Sequence, residues 1–230
     1  MGFIVKNTTL PSLFDLLAPH SCRGCGHTGT VLCDRCKNDI ISHRHNFCPH
    51  CKSPSPTGKC PKCNSLPPTF VVDYRTGLID ALIHDFKYNS VRALAAPLAE
   101  ILHQALPATT DPTIIVPLPT ISRHVRARGL DHTYLLAKHL TKFQPNSKVS
   151  RILIRNQNTV QVGSKRKDRL SQASTAYAIA PNTIVDPKST YLLLDDVWTT
   201  GASMQAAVKK LRQARVQNIV IAVLAVSNIG

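Results

Sequence analysis

The sequence predicts an α/β chain: a mostly parallel sheet flanked by helices over residues 69–230, preceded by a small cysteine-rich module over residues 1–68. Three observations carry this. Continuous apolar runs alternate with stretches of helical periodicity, the pattern of strands covered on both faces. All eight cysteines fall between Cys22 and Cys63. The run YLLLDDVWTTGAS, Tyr191 to Ser203, leads from apolar residues into two aspartates and a turn of small, hydroxyl-bearing residues.

The cysteine module comes first in the chain. Its cysteines form four C-x-x-C knuckles: Cys22 and Cys25, Cys33 and Cys36, Cys48 and Cys51, Cys60 and Cys63. A two-residue gap lets both thiolates of a knuckle face one ion, and two knuckles complete a tetrahedral site. Four knuckles therefore make two Zn²⁺ sites. A sequential pairing and a cross-braced pairing both satisfy the spacing. Five histidines, His20, His27, His43, His45 and His50, share the region, but the thiolates already fill eight positions. Four thiolates per ion leave no open coordination position, so these zincs are expected to be structural, holding a double zinc ribbon with little apolar core of its own. A redox reading fits less well, because four copies in one block lack a surrounding βαβ pattern.

After the Pro pair of NSLPPTF the composition changes. Residues 70–75 read as a strand. Residues 77–88 carry a helical stripe through Leu78, Ile79, Leu82, Ile83 and Phe86. Residues 91–106 read as a second helix, with Pro97 either a kink or a mark of a late start. Residues 113–119 form a short buried strand stopped by prolines, residues 131–143 a helix and residues 148–155 a strand. Residues 156–175 are polar and basic with no periodicity, a long loop. Residues 191–196 are a buried strand, 203–214 a helix and 218–226 a last buried strand.

Composition bounds the function. Hydrophobic residues make up 43% of the 230, enough for a substantial core. Lys and Arg number 28 against 13 acidic residues, a formal charge of +15 that favours phosphate-bearing ligands or nucleic acid. No run reaches the roughly 18–20 apolar residues a bilayer span needs. The opening MGFIVKN has no basic signal-peptide start, and lacks the hydroxyl residue that N-myristoylation wants. The expectation is a soluble, cytoplasmic protein.

In a parallel sheet, ligands bind beyond the carboxyl ends of the strands. Asp195 and Asp196 are expected to emerge at such an end. Thr199, Thr200, Gly201, Ala202 and Ser203 then turn into a helix whose free N–H groups and positive dipole end suit a phosphate. Two carboxylates beside a phosphate cradle make sense if the ligand carries hydroxyls or a cation there. That describes a ribose 5-phosphate. A Walker loop is excluded because no G-K-[ST] follows, and a nicotinamide fingerprint because G-x-G-x-x-G is absent.

LLLDDVWTTGAS resembles the phosphoribosyl pyrophosphate (PRPP) motif of type I phosphoribosyltransferases, and the wider chain resembles the ComF competence-protein family, which joins a cysteine ribbon to such a domain. ALIHDFKY is similar to that family's I-H-x-x-K-[YF] helix, through Ile83, His84, Lys87 and Tyr88. VPLPTISRHVRARGLDH is similar to its V-P-[VL]-P…R-x-R-G-[FY]-N-Q segment, with Asp131 and His132 replacing N-Q. The stretch from Arg155 to Tyr177 is similar to its basic loop, with Thr159 and Gln161 at altered spacing, Gln172 in place of Asn and Tyr177 in place of Phe.

The resemblance implies a type I phosphoribosyltransferase-like fold. It also implies that Asp195 and Asp196 hold the ribose hydroxyls and residues 199–203 the 5-phosphate. Pro117, Leu118 and Pro119 open the pyrophosphate loop, with Arg123, Arg126 and Arg128 nearby, and Mg²⁺ rides mainly on the ligand's own oxygens. Expelling pyrophosphate leaves a heavily charged leaving group, so cations are the expected catalytic residues: Lys87, Arg128, and Arg166 and Arg169 of a lid-like loop with Lys165 and Lys167. Trp198 either stacks on the ligand or packs. The implied partners are PRPP or another phosphoribosyl ligand, single-stranded DNA and competence-machinery proteins, in DNA uptake. The alternatives are an active transferase of nucleotide metabolism acting on an unnamed acceptor, and a purely structural zinc adaptor.

Overall fold

The computed structural model describes residues 20–43, 46–63, 66–156 and 176–227. Its main sheet has five strands: β1 Thr69–Tyr74, β2 Thr113–Pro117, β3 Ser147–Val149, β6 Thr190–Trp198 and β7 Asn218–Val226. They lie in the order β1-β7-β6-β2-β3, and every pair is parallel. A separate antiparallel pair joins β4 Leu153–Arg155 to β5 Tyr177–Ile179. The expected sheet, mostly parallel and flanked by helices, is what the chain forms.

The strands read as unbroken apolar runs because both faces are covered. On β6, Leu192 and Leu194 belong to one buried cluster while Tyr191 and Leu193 belong to the other. This is the period-2 alternation of a strand. The first cluster is closed by α2 Gly77–Tyr88, α3 Ala95–Ala105 and α5 His132–Leu140. The second is closed by α6 Ala202–Gln213 and by the β4–β5 pair.

Several boundaries differ from the sequence expectation. The helix expected from residue 91 begins at Ala95, after a 3-10 turn over Arg92–Leu94. Pro97 sits in the first turn of α3, where its missing N–H costs nothing. The strand expected over residues 148–155 is two strands: β3 joins the main sheet, and β4 turns away onto the α6 face. The helix α4 Ser122–Arg128 was not expected; it has no buried residue, so it leaves no apolar stripe in the sequence. Gly129, at φ +62, ends it in the left-handed conformation that glycine adopts without strain.

The cysteine module packs on the sheet domain from two sides. Cys22, Val31, Leu32 and Ile40, the last from α1 Asp34–Ser42, join the buried cluster under α2 and α3. Arg23 pairs with Asp85 at 3.0 Å, and Lys37 with Glu100 at 2.7 Å. Phe47 joins the opposite cluster and stacks on Tyr74 at 4.3 Å. The N–H of Thr69 donates to the Gly58 carbonyl, so the module also occupies the free edge of β1. An uncovered edge strand would be open to pairing with another chain.

Candidate functional site

The cysteines form two groups of four, Cys22, Cys25, Cys33 and Cys36, then Cys48, Cys51, Cys60 and Cys63, with all ligand atoms of a group within 4.8 Å of one another. The pairing is therefore sequential rather than cross-braced. Sulfur separations of 3.6 Å (Cys25–Cys33) and 3.5 Å (Cys51–Cys60) match the edge of a small sulfur tetrahedron. Zinc–sulfur bonds of about 2.3 Å require an edge of about 3.8 Å. Backbone N–H groups of Gly24 and Cys33 donate to the Cys22 sulfur, and that of Cys63 to the Cys60 sulfur, as knuckles do when they stabilise thiolates. Both groups thus have the donor set and geometry for structural zinc.

At the carboxyl end of the sheet, β6 runs two residues beyond the aspartate doublet, to Trp198. The doublet therefore lies within the strand rather than past its end. Its neighbour β2 stops at Pro117, opposite Leu194, and the last contact on that side is the Leu118 N–H donating to the Leu194 carbonyl. From Asp195 onward β6 is unpaired on its β2 side while β7 continues on the other. A crevice opens at that point.

Because the doublet lies on a strand, its two side chains point to opposite faces. Asp195 faces α6 and lines a cavity of about 60 Å³ with Trp198, Thr199, Gly201, Ser203 and Met204. Asp196 faces α2 and α5. There Lys87 Nζ lies 2.8 Å and His132 Nε2 3.0 Å from Asp196 Oδ2, and Lys87 also donates to Oδ1 at 3.1 Å. The Asp196 and His132 side chains are each only 3% exposed, that of Lys87 21%.

The environments separate their acidities. For Asp195, burial and then the neighbouring Asp196 charge push the carboxyl well above the usual carboxylate range. Burial also opposes ionisation of Asp196, but the His132 contact and the Lys87 ammonium outweigh it and hold that carboxyl well below the range. Lys87 thereby cancels a negative charge that would repel a phosphate.

The turn after β6 is built for close backbone approach. Gly201 has φ +76 and caps α6, which starts at Ala202, one residue before the expected Ser203. A Cβ at Gly201 would lie 2.3 Å from the Trp198 ring, so only glycine fits there. Trp198 is buried beneath the turn; it packs. Thr199 and Thr200 are exposed, and Thr200 Oγ1 accepts from the Ala202 N–H at 3.4 Å. Tyr177 of β5 and Met204 of α6 share one buried cluster, which packs the turn's helix against the β4–β5 pair.

Beside this turn, Pro117, Leu118, Pro119 and Thr120 line a second cavity, of about 260 Å³, closed by Asp131, Arg151 and Arg155. Arg151 pairs with Asp131 at 3.2 Å and lies 3.7 Å over the Tyr134 ring. Arg155 lies over Tyr177. Burial, then the charges of Arg128, Arg123, Lys87 and Arg155, hold His124 below the usual histidine range, so these four cations share one positive field. Lys87 and Arg128 are therefore brought to this end of the sheet. Arg166 and Arg169 lie outside the described residues. His132, Arg151, Arg155 and Tyr177 were not singled out as site residues from sequence. His132 had one available signal, its place beside Asp131 where the family motif has N-Q.

The family model for uracil phosphoribosyltransferase matches residues 146–230, which run from the end of β2–β3 connection through β7. Competence protein F of Haemophilus influenzae is 27% identical over 212 residues, covering 86% of this chain and 92% of that protein. The chain is thus similar to a competence protein along most of both sequences, and its carboxyl-terminal part to the uracil phosphoribosyltransferase family. The mostly parallel sheet flanked by helices, behind the paired cysteine groups, is consistent with a type I phosphoribosyltransferase fold. A solved structure, the AQ2163 protein from Aquifex aeolicus, overlays with a TM-score of 0.40 at 13% identity, covering 70% of this chain and 89% of that one. Among the described residues no helix is long and apolar enough to cross a membrane.

Proposed function

We propose that this chain is a ComF-type protein that binds PRPP together with Mg²⁺, and that it does so in the handling of single-stranded DNA during DNA uptake. The observation that carries the first part is the convergence on one face of β6 of Asp195, the Thr199–Thr200–Gly201 turn and the start of the twelve-residue helix α6. The helix start offers N–H groups that lack a carbonyl partner within the helix, and a partial positive charge, to the 5-phosphate. Asp195 accepts from a ribose hydroxyl. The pyrophosphate falls toward Pro117, Leu118 and Pro119, within the field of Arg128, Arg123, Lys87 and Arg155. Mg²⁺, when bound with the ligand, neutralises pyrophosphate charge and keeps most of its own water.

If transfer occurs, charge builds on the departing pyrophosphate, and the fixed cations stabilise it without reorganising. The 260 Å³ cavity beside the loop is the space left for an acceptor. A transferase role in nucleotide metabolism is the second reading, and that cavity favours it. The DNA reading is supported by the +15 charge, by guanidinium–tyrosine stacks at Arg128 and Arg151, and by the name of the Haemophilus influenzae relative. Arginine and aromatic faces together suit single strands.

The test is calorimetric titration of PRPP with Mg²⁺, with and without single-stranded DNA, on wild type and Asp195→Asn. Binding that Asp195→Asn abolishes supports the reading; no heat with the wild type at any Mg²⁺ concentration overturns it. Binding to single-stranded DNA that is absent even at low salt overturns the DNA part alone.

A further inference from the structure

The two cysteine groups stand in different relations to the turn that follows β6, and the inference here rests on the phosphoribosyl reading of that turn. The first group, Cys22 to Cys36, packs into the cluster under α2 and α3. Trp198 and Met204, which lie beside the turn, belong to the opposite cluster. The second group, Cys48 to Cys63, adjoins that cluster through Phe47, which precedes Cys48 and is buried in it.

A row of side chains joins Phe47 to the turn. Phe47 stacks on Tyr74 with ring planes 11° apart. Tyr74, the last residue of β1, is in register with Val226 of β7, and Val226 with Trp198, the last residue of β6. The backbone is tied along the same row. The Arg75 N–H donates to the Val226 carbonyl and the Ser227 N–H to the Trp198 carbonyl, each at 2.8 Å. Phe47, Val226 and Trp198 share one buried cluster, and Tyr74 packs against it. The Trp198 ring then fills the space that a Cβ on Gly201 would take, directly under the start of α6.

The cysteine knuckle holds the far end of the row. Phe47 bridges to Pro54 across the turn, the Cys48 N–H donates to the Ser53 carbonyl at 2.8 Å, and the Lys52 N–H to the Cys48 carbonyl at 2.9 Å. Lys52 has φ +61, a conformation that a residue with a side chain keeps only where its surroundings impose it. Its ammonium lies 5.8 Å from the centre of the Phe47 ring and 5.5 Å from that of Tyr74, within cation–π range of both. Zinc, when bound, joins this knuckle to the one at Cys60 and Cys63.

We infer that Phe47 and Tyr74 are positioning residues for the 5-phosphate turn, and that through them the second cysteine group, not the first, sets the geometry of that turn. A cradle of backbone N–H groups binds a phosphate only while they point at one place, and a close-packed row passes a shift at one end to the other. Metal retention in the second group and ligand binding at the turn are then linked in both directions.

The test uses the full chain with its zinc, titrated with PRPP and Mg²⁺ by calorimetry. Phe47→Leu and Tyr74→Leu are each expected to weaken binding about tenfold, and the double variant to be no worse than either alone. Tyr74→Phe keeps the ring and binds as wild type does. Lys37→Gln is the control for general loss of stability: it breaks the contact of α1 with Glu100, lowers the thermal midpoint and leaves affinity unchanged. Costs that add, failure of Tyr74→Phe, or an equal affinity loss in Lys37→Gln overturn the inference. Trp198 is the one tryptophan of the chain, so its emission reports on the turn without any ligand. Phe47→Leu moves that emission to longer wavelength and Lys37→Gln does not; an unmoved emission in Phe47→Leu overturns the inference. On the unaltered protein, saturating PRPP makes one zinc harder to withdraw with a zinc-selective chelator, and thiol alkylation read by mass places the protection on Cys48, Cys51, Cys60 and Cys63. Equal protection of both groups, or of neither, overturns it. A wild type that binds no PRPP overturns the phosphoribosyl reading itself, and the ligand-free emission then decides the part given to Phe47 and Tyr74.

Discussion

The two ends of the parallel sheet offer opposite lessons about where a site lies. The amino end holds a cavity of about 850 Å³, floored by Leu106, Leu192, Val208 and Ile219 and rimmed by Asp111, Gln144, Arg212 and Gln217. The carboxyl end holds two smaller ones, about 60 and 260 Å³. Yet the perturbed carboxylates, the glycine that admits no side chain and the converging cations all sit at the carboxyl end. Volume measures how badly loops close over strand ends. Function is marked by groups kept in costly states, and such states persist only where something compensates them.

The largest effect that separates the ends is on Asp196. Asp196→Ala leaves Lys87 and His132 buried around an empty position and should cost about 3–5 kcal/mol, read by urea denaturation. A loss below about 1 kcal/mol would make the ion pair a surface contact and break the comparison.

Asp195→Asn is expected to weaken PRPP binding about a hundredfold while raising the thermal midpoint at neutral pH. The sign follows from linkage. The folded-state pKa of Asp195 is raised, so its contribution favours the fold fully below the unfolded value of about 3.9 and is lost as pH rises through the folded value. Asp196 is the reverse: depressed when folded, it contributes stability above about 3.9 that is lost as pH falls toward its folded value. Thermal midpoints against pH should therefore show Asp195→Asn flattening the decline toward neutral pH and Asp196→Asn flattening the acid limb. A parallel shift of both variants would contradict the assignment.

Gly201→Ala places a Cβ 2.3 Å from Trp198 at φ +76. It should cost about 1–3 kcal/mol of stability and weaken phosphate binding with it, measured by denaturation and calorimetry on one preparation. At the amino end, Gln217→Ala removes an exposed side chain from the cavity rim. It should stay within about 0.5 kcal/mol and leave PRPP affinity unchanged. An affinity change there would place a ligand contact at the wrong end of the sheet.

Legibility followed the source of each element's stability. α2, α3 and α5 bury one stripe each, and the apolar period reports it. α4 buries nothing, and β5 is three residues long, so neither leaves a period to read. The break between β3 and β4 was hidden because Val149, Ile152 and Leu153 are apolar on either side of it, with no glycine or proline to mark the turn. The TTGAS turn was legible because its chemistry is local: a helix start, small side chains and hydroxyls in one stretch. The opposed directions of Asp195 and Asp196 were also within reach, since period 2 requires them once the strand is known to continue to Trp198.

By itself, the sequence determined the elements whose cause lies within a few residues: the apolar strands, the amphipathic helices, the four cysteine knuckles and the turn that opens α6. The tertiary structure decided what depends on partners far along the chain: the sequential pairing of the knuckles, the seat of the module over the edge of β1, and the capture of Asp196 by Lys87 and His132. The physical reason is that a period or a cap is a local balance, whereas a buried charge is tolerated only where distant groups arrive to neutralise it.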